Sequence, residues 1–194
     1  MKNLRMDDLK KHKMLTCIVI FFVCLIARII EYFFIRTDET IVAENFIHKV
    51  FGICLLALIL FVTDTRWETI GFCKNGFVKN ILKGLLLGLI CFTVAYTIEG
   101  IVLYTINGSV KLEFYASGFS LDGGRAKQTG IGFIVLCILF NLINVWMEEG
   151  VFRGLFSELL KDMTFMKSAV FIAFLFGLWH WVMLFVTIWK EIHL

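Results

Sequence analysis

The chain has 194 residues, of which 59% are hydrophobic and none is proline, and its mean hydropathy is +0.85. Only 18% are charged and the net charge is +3, which is too weak for a nucleic-acid surface and far too oily for a soluble domain. The composition specifies an all-α integral membrane protein, a polytopic bundle of about five transmembrane helices, because continuous apolar runs lack the alternation that a barrel requires.

Residues 1–13 form a basic tail. The first apolar run, Met14–Ile35, is too long for a cleaved signal peptide and is followed by no small-x-small site. Arg28 and Glu31 stand three apart near its far end, where they can pair along one helix face. The second run, Phe46–Thr63, is marginal for a span of about 20 residues, with His48 and Lys49 close to its start, at an expected interface. The third, Gly84–Asn107, is ample, and Glu99 near its end is expected to snorkel to the membrane surface. These three helices and their loops make up residues 14–128. They close with a linker, Gly108–Gln128, that reads as flexible from Gly118, Gly123 and Gly124. The six cysteines show no CxxC spacing and read as small packing residues with reduced thiols.

Lysine and arginine counts set the expected orientation. With the tail inside, alternate segments hold eleven such residues inside and six outside. The positive-inside rule therefore puts the N-terminus in the cytoplasm and the chain, as a multi-pass protein, in the cell membrane.

The remaining segment, residues 129–194, carries the chemistry. Thr129–Met147 has no charged residue, yet it runs into "NVWMEEGVFRG". An acidic residue at mid-membrane costs roughly 2.5–3.5 kcal/mol on insertion scales, so two adjacent glutamates need partners. On a helix Glu149 and Arg153 share a face and can pair, while Glu148 points about 100° away. Asn141 and Asn144 lie on the face of Glu148, and Gly150 and Gly154, four apart, admit a second backbone at close range. Arg153 offsets one glutamate only. For Glu148 the sequence leaves protonation, water, or a cation or histidine from another helix. His180, in the last run, Ser168–Trp189, is the histidine deepest in a span, and a carboxylate with an imidazole can hold and activate water, with or without a metal. The flanking Trp179 and Trp181 read as packing and lipid contact.

These residues resemble the CPBP family, the CAAX protease and bacteriocin-processing group of intramembrane proteases, also called Abi. The first motif, EExxxR followed by glycine, is Glu148, Glu149, Arg153 and Gly154; the second, FxxxH, is Phe176 to His180. The resemblance implies an intramembrane endopeptidase that hydrolyses a membrane-proximal peptide bond, with Glu148 as base on a water shared with His180 and with Glu149 and Arg153 as supports. Its implied substrate is a peptide or membrane protein met within the lipid bilayer, and bacteriocin self-immunity is an implied role. Some members are zinc enzymes and others use glutamate without a required metal, so Glu148 and His180 are also the candidate zinc ligands. The family's later histidine, with asparagine or aspartate four residues on, has no counterpart after His180. That departure leaves three expectations: a truncated chain, a site completed by another subunit, or a non-catalytic membrane binding or immunity protein derived from the family. Oligomeric state and nucleic-acid partners are not indicated by any motif.

Overall fold

The computed structural model describes residues 6–40, 44–110, 116–117, 127–128 and 130–193. The glycines expected to loosen the linker, Gly118, Gly123 and Gly124, lie outside the described residues, as do Lys2 and Arg5 of the tail. Helices dominate: α1 (Met6–Lys10), α2 (Lys13–Ile30), α3 (Ile47–Val62), α4 (Phe77–Asn107), α5 (Ile131–Glu148), α6 (Phe156–Leu159) and α7 (Phe165–His193). Two-residue strands, β1 (Ala116–Ser117) and β2 (Lys127–Gln128), pair antiparallel. Four stretches are long and apolar enough to cross a membrane: Lys13–Ile35, Phe77–Asn107, Ile131–Leu159 and Phe165–Trp189. The second expected span, Phe46–Thr63, corresponds to α3, whose 16 residues reach about 24 Å, short of a hydrocarbon core of about 30 Å.

The chain divides into two compact units, one formed by Met1–Gly71 with Tyr115–Leu194 and the other by Phe72–Phe114. The second unit is built on α4. Left-handed glycines bound this helix, Gly76 before it and Gly108 after it. Its Thr93 and Thr97 hydroxyls donate to the carbonyls of Leu89 and Thr93, so these polar groups are satisfied within the helix, as lipid requires.

In the first unit, two helices widen into π-helical turns, each beginning at a glutamate: Glu31–Ile35 extends α2 and Glu149–Leu155 joins α5 to α6. The fourth apolar run therefore continues as helix through both glutamates, which is the condition its length set. Phe21, Phe152, Phe156, Trp179, Met147 and Leu56 are fully buried and form the packing between α2, α3, α5–α6 and α7. Gly154 permits the close approach expected of it. A Cβ there would lie 2.7 Å from the carbonyl oxygen of Ile70, in the 3₁₀ turn Trp67–Ile70 that follows α3. At Glu158, Lys10 and Lys161 both donate at 2.8 Å, tying α1 to α6. All six cysteines are free thiols.

Candidate functional site

Glu148 ends α5, and Glu149 opens the π-helical segment. The Glu149–Arg153 ion pair forms at the expected spacing. Both residues, with Glu148, line a cavity of about 660 Å³ between α5–α6 and α7. One wall runs from Glu148 past Ser157 to Lys161, and the other runs from Phe165 past Ser168 to Phe176. Eleven residues of helix separate Phe165 from Phe176, so the cleft extends about 16 Å from the loop between α6 and α7 into the membrane-spanning part. Its lining is mainly apolar, with Ser157 and Ser168 along the walls and charged groups toward the Glu148 and Lys161 ends. Lys161 stands at the outer end, where hydrogen bonding to Glu158 holds its ammonium above the ordinary lysine range.

Glu148 and His180 are not hydrogen-bonded to one another. The Glu148 carboxylate accepts from the Trp179 indole Nε1 at 3.0 Å. The neighbouring His180 uses Nδ1 to donate to the Phe176 carbonyl at 2.9 Å. Because a carbonyl only accepts, this bond fixes the proton of the neutral ring on Nδ1 and leaves Nε2 as a lone pair. The Phe176 ring lies 4.6 Å from the His180 ring, edge to face, and 5.2 Å from Phe152. One residue of the FxxxH motif thus orients its histidine twice, through its carbonyl and through its ring. His180 itself is exposed on α7, and Asn141, on the face of Glu148, donates to its own helix at Cys137.

Behind Glu148 lies a polar cluster whose members read differently in sequence. His48 is buried, 1% exposed, rather than interfacial. Its Nδ1 lies 2.5 Å from Glu31. Glu31 does not pair locally with Arg28 as its spacing suggested. Its carboxylate accepts from the Ile47 amide at 2.9 Å, the His48 amide at 2.6 Å and the Thr37 hydroxyl. Phe46, at the N-cap of α3, offers no side-chain acceptor, so Glu31 caps that helix from sixteen residues upstream, where the dipole favours a negative charge. Arg28 lies over the Trp179 ring, 4.3 Å from its centroid. Trp179, read as packing and lipid contact, is fully buried and joins this cluster to Glu148, while Trp181 is exposed. Arg28 and Glu31 carried a sequence signal, as charges inside an apolar run. His48 carried a weaker one, and Trp179 none beyond its place next to His180.

Among the described residues no three of His, Cys, Asp or Glu converge so as to hold a metal ion. A zinc site normally takes three protein ligands, so Glu148 and His180 do not make a complete ligand set by themselves.

The fold and site define a multi-pass helical membrane protein with a carboxylate cleft between two spans and a tautomer-fixed histidine on the second. Residues 130–191 match the family model described as Rce1-like, Type II CAAX prenyl endopeptidase Rce1-like. That segment is similar to the CPBP family of intramembrane proteases, the family that its two motifs resemble, and the match leaves α2, α3 and α4 outside it. No curated protein and no solved structure gives a significant match.

Proposed function

We propose that this protein is an intramembrane endopeptidase in which Glu148 is the general base. The observation that carries the reading is the position of Glu148 at the inner end of the 660 Å³ cleft, inside the segment that matches the protease family. The apolar walls suit a peptide delivered from the bilayer, and a prenylated C-terminus is the first substrate class to try. In the reaction Glu148 takes a proton from water, and the water oxygen bonds to the scissile carbonyl carbon. The C–N bond then breaks, and Glu148 returns the proton to the departing amine. His180 is exposed on α7 and is not among the residues that line the cleft; its role in this reading is to orient the water through its Nε2 lone pair. The Glu149–Arg153 pair keeps the helix in register.

The N-terminus is assigned to the cytoplasm of a cell-membrane protein. Three segments expected inside lie together: α1 and α6, tied through Lys10 and Glu158, and the turn Trp67–Ile70 against Gly154. This arrangement supports a common side for all three.

The test is hydrolysis by the purified protein of a prenylated peptide and of an unmodified membrane peptide, comparing wild type, Glu148→Gln and His180→Ala at equal abundance. General-base catalysis is worth about 10²–10⁴-fold, and losses of that size are expected for Glu148→Gln. Equal rates for Glu148→Gln and wild type refute the reading. A second reading, a non-catalytic binding or immunity protein, draws on the bonding of Glu148 to Trp179 rather than to His180. It predicts that both substitutions leave any cellular phenotype intact.

A further inference from the structure

The charged groups of the membrane-spanning core can be matched in pairs. Glu149 is taken by Arg153 and Glu44 by Lys49. Glu31 is taken by His48, two backbone amides and Thr37. Among the described residues Glu148 on α5 and the buried Arg28 on α2 have no salt bridge of their own. Arg28 is 4% exposed, and its Nε has no hydrogen-bond partner. A buried guanidinium without a counter-charge is costly. It lies within electrostatic reach of Tyr32, Glu148 and Glu31, and of the two carboxylates Glu148 shares a touching side chain with it. The Trp179 ring carries Arg28 on its face, 4.3 Å from the centroid, and its Nε1 donates to Glu148 at 3.0 Å. A cation on an indole face is attracted by the ring quadrupole, more strongly when desolvated. A cation so placed also makes the indole N–H a better donor, because bonds in a low dielectric polarise one another. The second contact of Arg28, the Tyr32 ring at 5.4 Å, holds it from behind.

We propose that Arg28 is the counter-ion and positioning residue of Glu148, acting through the Trp179 indole set between them, so that a helix outside the family-matched segment completes the protease site. In its catalytic consequence this rests on the peptidase reading; in its energetic consequence it does not. Arg28 is not among the residues that line the cleft, so it contributes to turnover and not to substrate binding.

The experiment is a double-mutant cycle on the full chain in detergent, with thermal unfolding of wild type, Arg28→Met, Glu148→Gln and the double variant. Arg28→Met removes a buried cation and leaves Glu148, half-buried at the cleft, uncompensated, so the midpoint should fall by roughly 3–6 °C. The double variant should fall no lower than Arg28→Met alone. Additive losses overturn the proposal. If Arg28→Met is not recovered from membranes, the readout becomes whether adding Glu148→Gln restores its abundance: restoration supports the pairing, and none overturns it. In hydrolysis assays Arg28→Met should lose roughly a hundredfold in kcat at unchanged KM, and Arg28→Lys should recover most of it. A raised KM with kcat unchanged also overturns the proposal. Coupled stabilities in a chain with no hydrolase activity retire the peptidase reading and keep the ion pair. Additive stabilities in an active enzyme do the reverse.

Discussion

Glu31 offers the sharpest test of how the first unit is held. Glu31→Ala removes the acceptor of the Ile47 amide, the His48 amide and the His48 ring. Thr37 keeps a second contact, to Asn45 at 3.1 Å. At 0% and 1% exposure, Glu31 and His48 lie where water cannot replace what is lost. Each buried donor left unmade costs about 1–3 kcal/mol, and three of them give roughly 3–6 kcal/mol once some relaxation is allowed. For a chain of 150–250 residues about 2–4 °C accompanies each kcal/mol, so the unfolding midpoint should drop by roughly 6–24 °C. Glu31→Gln retains one acceptor oxygen but sets an amide N–H against donors, and about half of that loss is expected. The assay is loss of soluble, monodisperse protein on heating in detergent. Glu39→Ala serves as the control, since its ion pair with Arg36 is exposed and such pairs contribute little. A Glu31→Ala midpoint within about 3 °C of wild type would refute the capping argument.

Three further outcomes are expected. Gly154→Ala places a methyl 2.7 Å from a backbone oxygen. The overpacking cost of about 1–3 kcal/mol exceeds the roughly 1 kcal/mol that alanine gains in a helix, so melting should show a small net loss, and a more stable variant contradicts the contact. Trp179→Phe keeps a ring beneath Arg28 but removes the Glu148 donor. A hydrogen bond to a charged group contributes about 1.5–3 kcal/mol, and hydrolysis should fall at least tenfold while abundance is largely kept; full activity would show that Glu148 is oriented without the indole. Catalysis by Glu148 without a metal predicts rates unaffected by EDTA and no zinc in elemental analysis of active protein. A chelator-sensitive rate restored by zinc would require a ligand beyond the described residues.

The legible parts of this site are those in which one helix decides the geometry. Glu149–Arg153 and the Gly154 approach follow from residues four apart on a continuous helix, and the sequence carries that spacing openly. The continuation of the fourth run through its glutamates was also readable, because lipid sets a minimum length. What escaped was long-range. His48 sits at the start of α3, so its place in the chain resembles an interface. Its burial comes from Glu31, seventeen residues away across a loop, and from Trp179 on α7. Arg28 and Glu31 stand at a pairing distance that their helix does not use, because the first amides of α3 compete for the carboxylate and win by offering more donors. The indole that joins Arg28 to Glu148 was not legible, since an indole among aromatic neighbours gives no sign that its N–H is committed.

The placement of Trp179 has a consequence for how the protein is made. Arg28 leaves the ribosome early and Glu148 about 120 residues later, yet the ring that touches both comes only with the last helix. At a synthesis rate of roughly 5–20 residues per second, Arg28 waits several seconds or more for its partner. Until α7 enters the membrane the two charges have no shared contact to hold them together. An arginine and a glutamate left unmatched in the membrane each carry an insertion cost. Chains ending before residue 179 lack the one side chain that touches both groups, so the contact between the first and fourth apolar runs is completed only by the last helix.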